Sequence, residues 1–560
     1  MITKFQKLPA GYRPILGLAL GFGLFMFMLL PDGVGVMNDD FGYLGSVIET
    51  ARRWWPWTDD WLEPWAASLS VFSAVIYMIT GSFLLATQGM QAVYAATGAV
   101  LAWLALRARG LGSPVAMVIA ILGLTFPTLL WKLTEFTGMA LYIPCLLGAV
   151  WAADRRRWGW FFAFWLIAFA SRQSAITWLA LPFWTGLASL QQRAGPKSAW
   201  LQPAVILGLS LPVLLLLGMV MNHTQSQAML TDHIWERINP TAALRNYTLG
   251  AGIGAIALGV GALLFNRESV SAGSVVVRPA RMLGVLALAA VGYTFREALP
   301  LISFEHGGFG GWSGQLYANL LLAFGLAGWM FGRFPIRGEF AFASLAALGL
   351  VGLRPDVWDY YLVDVAVLAF FSVAPPPEAD QSCVPAAGYA ALLALLAGQL
   401  FFAFELKCRV DRDHAAVVVA EEALRSGKLE VVDIRQLPFG FIGWKLHRHF
   451  VAQDGKKDPD IGGFAGYLQG PGAEPRLSRV RFWIDSKSLA PIQGQDAPRI
   501  LGTRVFRVGW FWHQRLTLLA PAADKKTAPK LELSRSLYRL RPFPLNDAEW
   551  RGFIDRPGPP

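Results

Sequence analysis

Apolar runs long enough to cross a bilayer recur along this chain, most of them ending on a small group of arginines. No single soluble core could bury them all. The first, PILGLALGFGLFMFMLL over residues 14–30, is about long enough to span the hydrocarbon layer and lacks the small-residue cleavage site of a secretory signal. It is expected to be a retained first helix. Lys4, Lys7 and Arg13 precede it, so the positive-inside rule puts the N-terminus in the cytoplasm and residues 32–66 outside. With 54% hydrophobic and 16% charged residues in 560, most of the chain must face lipid.

Charge then sets the number of crossings. Arg107 and Arg109 follow one apolar stretch and Asp154-Arg155-Arg156-Arg157 follows a further pair. Both groups are cytoplasmic only if residues 65–106 cross once, with residues 68–86 along the outer face and the second span over about 88–106. The alternation continues through Arg193 and Lys197, through Arg267, Arg278 and Arg281, and through Arg333 and Arg337. It predicts a polytopic α-helical membrane protein of about thirteen transmembrane helices. Residues 1–405 form the membrane domain, with a first outer loop over 32–87 carrying juxtamembrane helices. Segments 158–171 and 282–295 are short for a full crossing.

Beyond Cys408 no apolar run reaches spanning length. The segments LEVVDI, RVRFWID, RVFRVGWFWHQRLTLL and LELSRSLYRL, separated by Gly, Pro and Asp clusters, predict a β-rich soluble domain over 406–560 on the extracytoplasmic side. These residues hold 26 Lys and Arg against 17 Asp and Glu, which suits either an anionic surface or plain solubility. Cys145, Cys383 and Cys408 are too separated to imply a disulfide framework.

The candidate chemistry lies just after the first helix, in Asn38-Asp39-Asp40-Phe41-Gly42-Tyr43 and then Thr58-Asp59-Asp60-Trp61-Leu62-Glu63-Pro64-Trp65. Adjacent carboxylates at a membrane surface are costly unless solvated, paired or used. Taken alone, Asn38 or Asp39 reads as an N-cap for the following helix. Asp232-His233 with Glu236, and Glu305-His306, lack the spacing of a zinc site and read as solvated loop. The tryptophans from Trp54 to Trp65 suit an interfacial aromatic belt. No P-loop, nucleophile elbow or dinucleotide-binding glycine pattern is present, and the glycines of 251–261 read as helix-packing residues.

The order and sidedness of the motifs over residues 10–375 resemble the GT-C superfamily of membrane glycosyltransferases, especially its protein O-mannosyltransferase and aminoarabinose transferase branch. Asp39-Asp40-Phe41-Gly42-Tyr43 is similar to the Asp-[Asp/Glu]-x-x-Tyr element that follows the first helix in that family. Asp60-Trp61-Leu62-Glu63-Pro64 resembles its Gly-Asp-Trp-x-x-Pro stretch, Thr134-Glu135 its Thr-Asp position, and Ser171-Arg172-Gln173 an Arg-Gln element. One departure bears on donor binding. The family's Lys-Pro-Pro-Leu is replaced here by Ala66-Ala67-Ser68-Leu69.

The resemblance implies transfer of a sugar from a polyprenyl-phosphate donor to a lipid, glycan or protein acceptor at the outer face of a bacterial cytoplasmic membrane. Asp39 would be the base, Asp40 its partner or, with Asp39, the holder of a divalent cation, and Glu135 an acceptor-site acid. Arg172, Arg354, Lys132 and Tyr43 would serve the donor phosphate, since guanidinium groups match phosphate oxygens bidentately. For any one arginine, snorkelling to the interface is the simpler reading. Membrane lipids are expected partners and nucleic acid is not. The competing reading is a transporter or flippase of a polar lipid or glycan precursor, against which the lack of an internal repeat weighs. A third is a non-catalytic scaffold displaying the C-terminal domain.

Overall fold

The computed structural model describes residues 12–29, 40–54, 67–82, 84–191, 198–221, 240–265, 312–331, 336–352, 362–374 and 392–400, a few residues of 402–407, and four strands beyond residue 430. The helices are α1 (Tyr12–Leu29), α2 (Asp40–Arg53), α3 (Ala67–Thr80), α4 (Met90–Ala108), α5 (Ser113–Leu124), α6 (Pro127–Thr134) and α7 (Gly138–Asp154). They continue as α8 (Trp158–Phe169), α9 (Ala180–Gln191), α10 (Ser198–Met221), α11 (Pro240–Phe265), α12 (Trp312–Phe331), α13 (Gly338–Gly352) and α14 (Val363–Ser372). A π-helical turn, Leu85–Gly89, leads into α4, and a 3₁₀ segment, Gln173–Leu179, leads into α9.

Among the described residues, three helices are long and apolar enough to cross a membrane: Tyr12–Leu29, Leu85–Ala108 and Asn246–Leu264. The chain is a helical protein with membrane-spanning character, and the expected first and second spans fall on the first two of these. The thirteen crossings read from hydropathy are not reproduced. Shorter apolar helices account for much of the remaining apolar sequence among the described residues, and one run that looks continuous in sequence is broken by the backbone. Residues 113–134 divide at Thr125–Phe126, where Phe126 takes ψ 131° and Pro127 opens α6, because proline forces its predecessor out of the helical region and cannot donate to the preceding turn. Segment 158–171, short for a full crossing, ends in the turn at Ser171–Arg172. There the chain folds back so that Trp165 Nε1 donates to the carbonyl of Ala175 at 3.1 Å. Segment 282–295 lies outside the described residues.

α1 shows why such helices need a lipid-like surrounding. Leu18, Phe22, Met26 and Leu29 are buried at helical spacing, and Gly23 lets the helix approach Ala96 of α4. Leu20, Leu24 and Met28 on the other face are 58–67% exposed, an arrangement that suits hydrocarbon and not water. Farther on, α11 and α12 touch through glycines. A Cβ on Gly259 would collide with the carbonyl of Gly325, and one on Gly261 would meet the Phe370 carbonyl at 2.8 Å. The glycines of 251–261 therefore act as close-packing residues, as expected.

Four helix ends meet around buried charge. Arg109, just past α4, pairs through Nε with Asp154 of α7 at 3.0 Å. Its two terminal nitrogens donate to the carbonyls of Val373 and Phe371 at 2.6 and 2.7 Å. Arg337 pairs with the same Asp154 and with Glu339 at 2.5 Å. Burial pushes the Arg109 guanidinium down to about 10, and the neighbouring Asp154 carboxylate opposes that. Arg109, Asp154 and Arg337 come from three segments that the charge pattern puts on one side of the membrane, and they meet at one end of the bundle.

In the C-terminal part, β1 (Val431–Asp433), β2 (Val480–Asp485), β3 (Arg499–Val508) and β4 (Trp512–Ala520) form one sheet in the order β1-β2-β4-β3. β3 and β4 make an antiparallel hairpin closing at Val508 and Trp512, while β1 and β2 are parallel. This falls short of the β-rich domain expected over 406–560, most of which lies outside the described residues.

Candidate functional site

At the opposite end of α7 from Asp154, three breaks in the helices collect polar groups. The first is the end of α6. Pro127 starts this helix and Glu135 ends it in extended conformation, so Lys132 and Glu135 share its last turn. Lys132 Nζ lies 2.5 Å from Glu135 Oε2, and Trp131 Nε1 donates to Oε1 at 2.5 Å. Glu135 is 1% and Lys132 7% exposed. A buried carboxylate with a cation on one oxygen and an indole N–H on the other has both oxygens satisfied. Gln91 of α4 fixes the turn by donating to the carbonyl of Thr134 at 3.2 Å.

The second break is the reversal after α8. Ser171 Oγ donates to the carbonyl of Gly138 at 2.9 Å, and a Cβ on Gly138 would stand 2.7 Å from the Ser171 carbonyl. Only a glycine lets α7 begin so near this reversal. Arg172, 5% exposed, is thereby carried into the interior. Its charge acts on the hydroxyl of Tyr142, one turn into α7, as does that of Asp364.

The third is the start of α14. Asp364 accepts a hydrogen bond from Tyr142 at 2.6 Å on Oδ2 and one from Trp178 Nε1 at 3.3 Å on Oδ1. Ser174 Oγ lies 3.0 Å from the Tyr142 hydroxyl, and the Tyr142 and Trp178 rings pack with centroids 4.9 Å apart. Two acids and two bases are thus buried around the start of α7, Glu135 held by Lys132 and Trp131 and Asp364 by Tyr142 and Trp178.

The structure brings Lys132, Glu135 and Arg172 of the expected site into this region. Asp39 and Arg354 lie outside the described residues, as do Asp59 and Asp60. Asp40 is the first residue of α2, and its carboxylate is outside the described side chains. Tyr43, one turn later, is buried. α2 packs on α3, whose start is tied to the end of α8 by Ser68, through N to the Ala170 carbonyl at 3.2 Å and Oγ to the Ile167 carbonyl at 3.0 Å. The first-loop helix is therefore coupled through α3 to the turn that carries Arg172. Among the described residues no group of three or more His, Cys, Asp or Glu is placed to hold a metal, and the Asp39–Asp40 pair expected to do so is not among them.

Sequence reading missed Tyr142, Ser174, Trp178 and Asp364. Asp364 had a signal, a lone acid in the apolar run Leu362-Val363-Asp364-Val365-Ala366-Val367, and ionisable groups in such runs mark function by default. The others are ordinary residues for a membrane helix, and only their convergence makes them a set. Comparison of the chain with protein-family models, with curated proteins and with solved structures returns no match.

Proposed function

We propose that this chain is a membrane glycosyltransferase that moves a sugar from a polyprenyl-phosphate donor to a lipid, glycan or protein acceptor. In this reading it crosses the membrane about thirteen times, and residues 406–560 form a β-rich domain on the outer side with the Glu135 end of the bundle. The meeting of Arg109, Asp154 and Arg337 at the other end supports that sidedness. The observation that carries the proposal is the burial of Arg172, at the turn to which α2 is linked through α3, together with the buried Lys132–Glu135 pair.

The chemistry follows from what a prenyl phosphate needs. Asp39 takes the proton of the acceptor group as that group attacks the anomeric carbon, with Asp40 beside it, and the bond to the phosphate oxygen breaks. Negative charge grows on the departing phosphate. Arg172 and Arg354 offset it with bidentate hydrogen bonds, and Tyr43 lies on the same first-loop helix as Asp40. Lys132 acts with Glu135 as one unit: a phosphate that draws on Lys132 leaves Glu135 free to meet the acceptor.

The test is transfer by the purified full chain in lipid vesicles supplied with polyprenyl-phosphate sugars, read by mass spectrometry of lipid-linked and envelope glycans. Asp39→Asn is expected to lower the rate by about 100-fold or more while folding is retained. Full activity in that variant would remove the base assignment. Vesicles that moved a labelled solute with no glycosylated product would favour transport instead.

A further inference from the structure

The proposed chemistry leaves one buried acid without a part. Asp364 sits in the first turn of the apolar helix α14 and is 5% exposed, and an ionisable group in a membrane domain is costly unless it is used. Its backbone is held from two directions. Ser344 Oγ of α13 donates to the carbonyl of Val365 at 3.0 Å, and Arg109 closes on the carbonyls of Phe371 and Val373 at the other end of the helix.

The hydrogen bonds that reach its carboxylate run one way. Ser174 Oγ donates to the Tyr142 hydroxyl at 3.0 Å, Tyr142 donates to Oδ2 at 2.6 Å, and Trp178 Nε1 donates to Oδ1 at 3.3 Å. An indole N–H can only donate, and the Tyr142 oxygen already accepts from Ser174, so the group between them must accept on both of its oxygens. A carboxylate does this and a carboxamide does not.

The two ends of this chain of bonds land on the stretch that follows Arg172. Ser174 and Trp178 both belong to the 3₁₀ segment Gln173–Leu179, and Arg172 stands directly before it with extended backbone, φ −155° and ψ 131°. The segment is long for its kind, since 3₁₀ geometry holds poorly beyond about three or four residues. Outside ties therefore matter. Trp165 Nε1 donates to the carbonyl of Ala175 at 3.1 Å, while Asp364 holds the segment near both ends, at Ser174 through Tyr142 and at Trp178 directly. Ala175 N donates to the Arg172 carbonyl at 3.2 Å, and Arg172 N donates to the Ala168 carbonyl at 2.7 Å. The backbone of Arg172 is thus caught between the end of α8 and a segment that Asp364 pins, and the charges of both residues act on the Tyr142 hydroxyl.

We infer that Asp364 is a positioning residue for Arg172: by holding Ser174 and Trp178 it sets the segment that Arg172 opens, and so fixes the guanidinium for the donor phosphate. The inference deepens the glycosyl-transfer reading and rests on Arg172 as a phosphate ligand. A ligand group held in place beforehand forfeits less freedom when the phosphate arrives. Asp364 acts through Arg172 and takes no part in the bond changes.

The experiment uses the full chain in nanodiscs, with affinities for polyprenyl phosphate and for the uncharged polyprenol read by native mass spectrometry. Arg172→Gln is expected to weaken polyprenyl phosphate binding by about tenfold or more. Asp364→Asn keeps the size of the side chain, loses one of its two acceptors, and is expected to weaken the same binding by roughly three- to tenfold. Polyprenol affinity should be unchanged in both. The double variant should bind polyprenyl phosphate no more weakly than Arg172→Gln alone, because a residue that works through Arg172 has nothing left to position. If Asp364→Asn does not yield folded protein, Ser174→Ala removes the tie through Tyr142 alone and is read in the same way.

Wild-type phosphate affinity in Asp364→Asn would overturn the positioning role and leave Arg172 as a donor ligand. Additive losses in the double variant, or equal losses for polyprenol and polyprenyl phosphate, would assign Asp364 to packing and overturn it too. If Arg172→Gln kept full phosphate affinity, Arg172 would leave the donor site and the inference would fall with it. The Asp39→Asn transfer assay would then decide the transferase reading by itself.

Discussion

The two ends of α7 bury charge in opposite ways. At the Asp154 end, guanidinium and carboxylate groups meet directly, and Arg109 also closes on the carbonyls of Phe371 and Val373. At the Gly138 end, about 18 Å away by helix rise between Tyr142 and Asp154, Arg172 and Asp364 both act on Tyr142, and several oxygens nearby have no partner. The first arrangement spends its polar groups on joining α4, α7, α13 and α14. The second leaves several hydroxyl and amide oxygens without a partner. Charge content alone does not mark a site; what matters is whether the fold itself satisfies it.

The comparison breaks first at Asp154. Asp154→Ala leaves Arg109 and Arg337 facing each other in a buried place, and is expected to cost about 3–5 kcal/mol, read as loss of folded protein in detergent unfolding curves. A variant that unfolds like the wild type would show that this end is no clamp. Arg109→Lys keeps the charge and loses the planar fork that reaches Asp154 and two carbonyls together. A cost of about 1.5–3 kcal/mol is expected by the same measurement. Equal stability would reduce the contact to a simple charge pair.

At the other end, Gly138→Ala drives a methyl against the Ser171 carbonyl, at an expected cost of about 1–3 kcal/mol. Because the backbone that moves carries Arg172, the affinity for bare polyprenyl phosphate should fall with it. A loss of stability with unchanged affinity would detach Arg172 from the donor. Tyr142→Phe removes one donor from Asp364 and is expected to cost about 1–2 kcal/mol in thermal unfolding. If it proved neutral, Asp364 would be satisfied by its other partners and the network would be looser than its 2.6 Å contact implies.

Some of this was legible in the sequence. Residues 14–30 and 88–106 announced helices because long apolar runs with no interior proline or charge have one low-energy arrangement in a membrane. Arginine placement foretold that Arg109, Asp154 and Arg337 would share an end. The break before Pro127 was also written in the sequence, yet hydropathy averages over it: a window sums apolarity and ignores the backbone donor that proline removes. Glu135, Lys132 and Arg172 were identifiable as charges near helix ends, but their pairing was not. Lys132 and Glu135 could as well have pointed apart, since spacing of three along a helix permits contact without requiring it.

What the sequence determined by itself is the class of molecule, a helical chain with membrane-spanning segments and an acidic pair after the first of them, because apolar length and charge bias act locally along the chain. What only the tertiary structure decided is which polar residues are satisfied and which are left wanting. Tyr142 finds Asp364 across 222 residues, whereas Ser73, Gln91 and Tyr94 are shut away from water with oxygens unmet. Hydrogen bonds act over about 3 Å, so their completion depends on neighbours that no stretch of sequence contains.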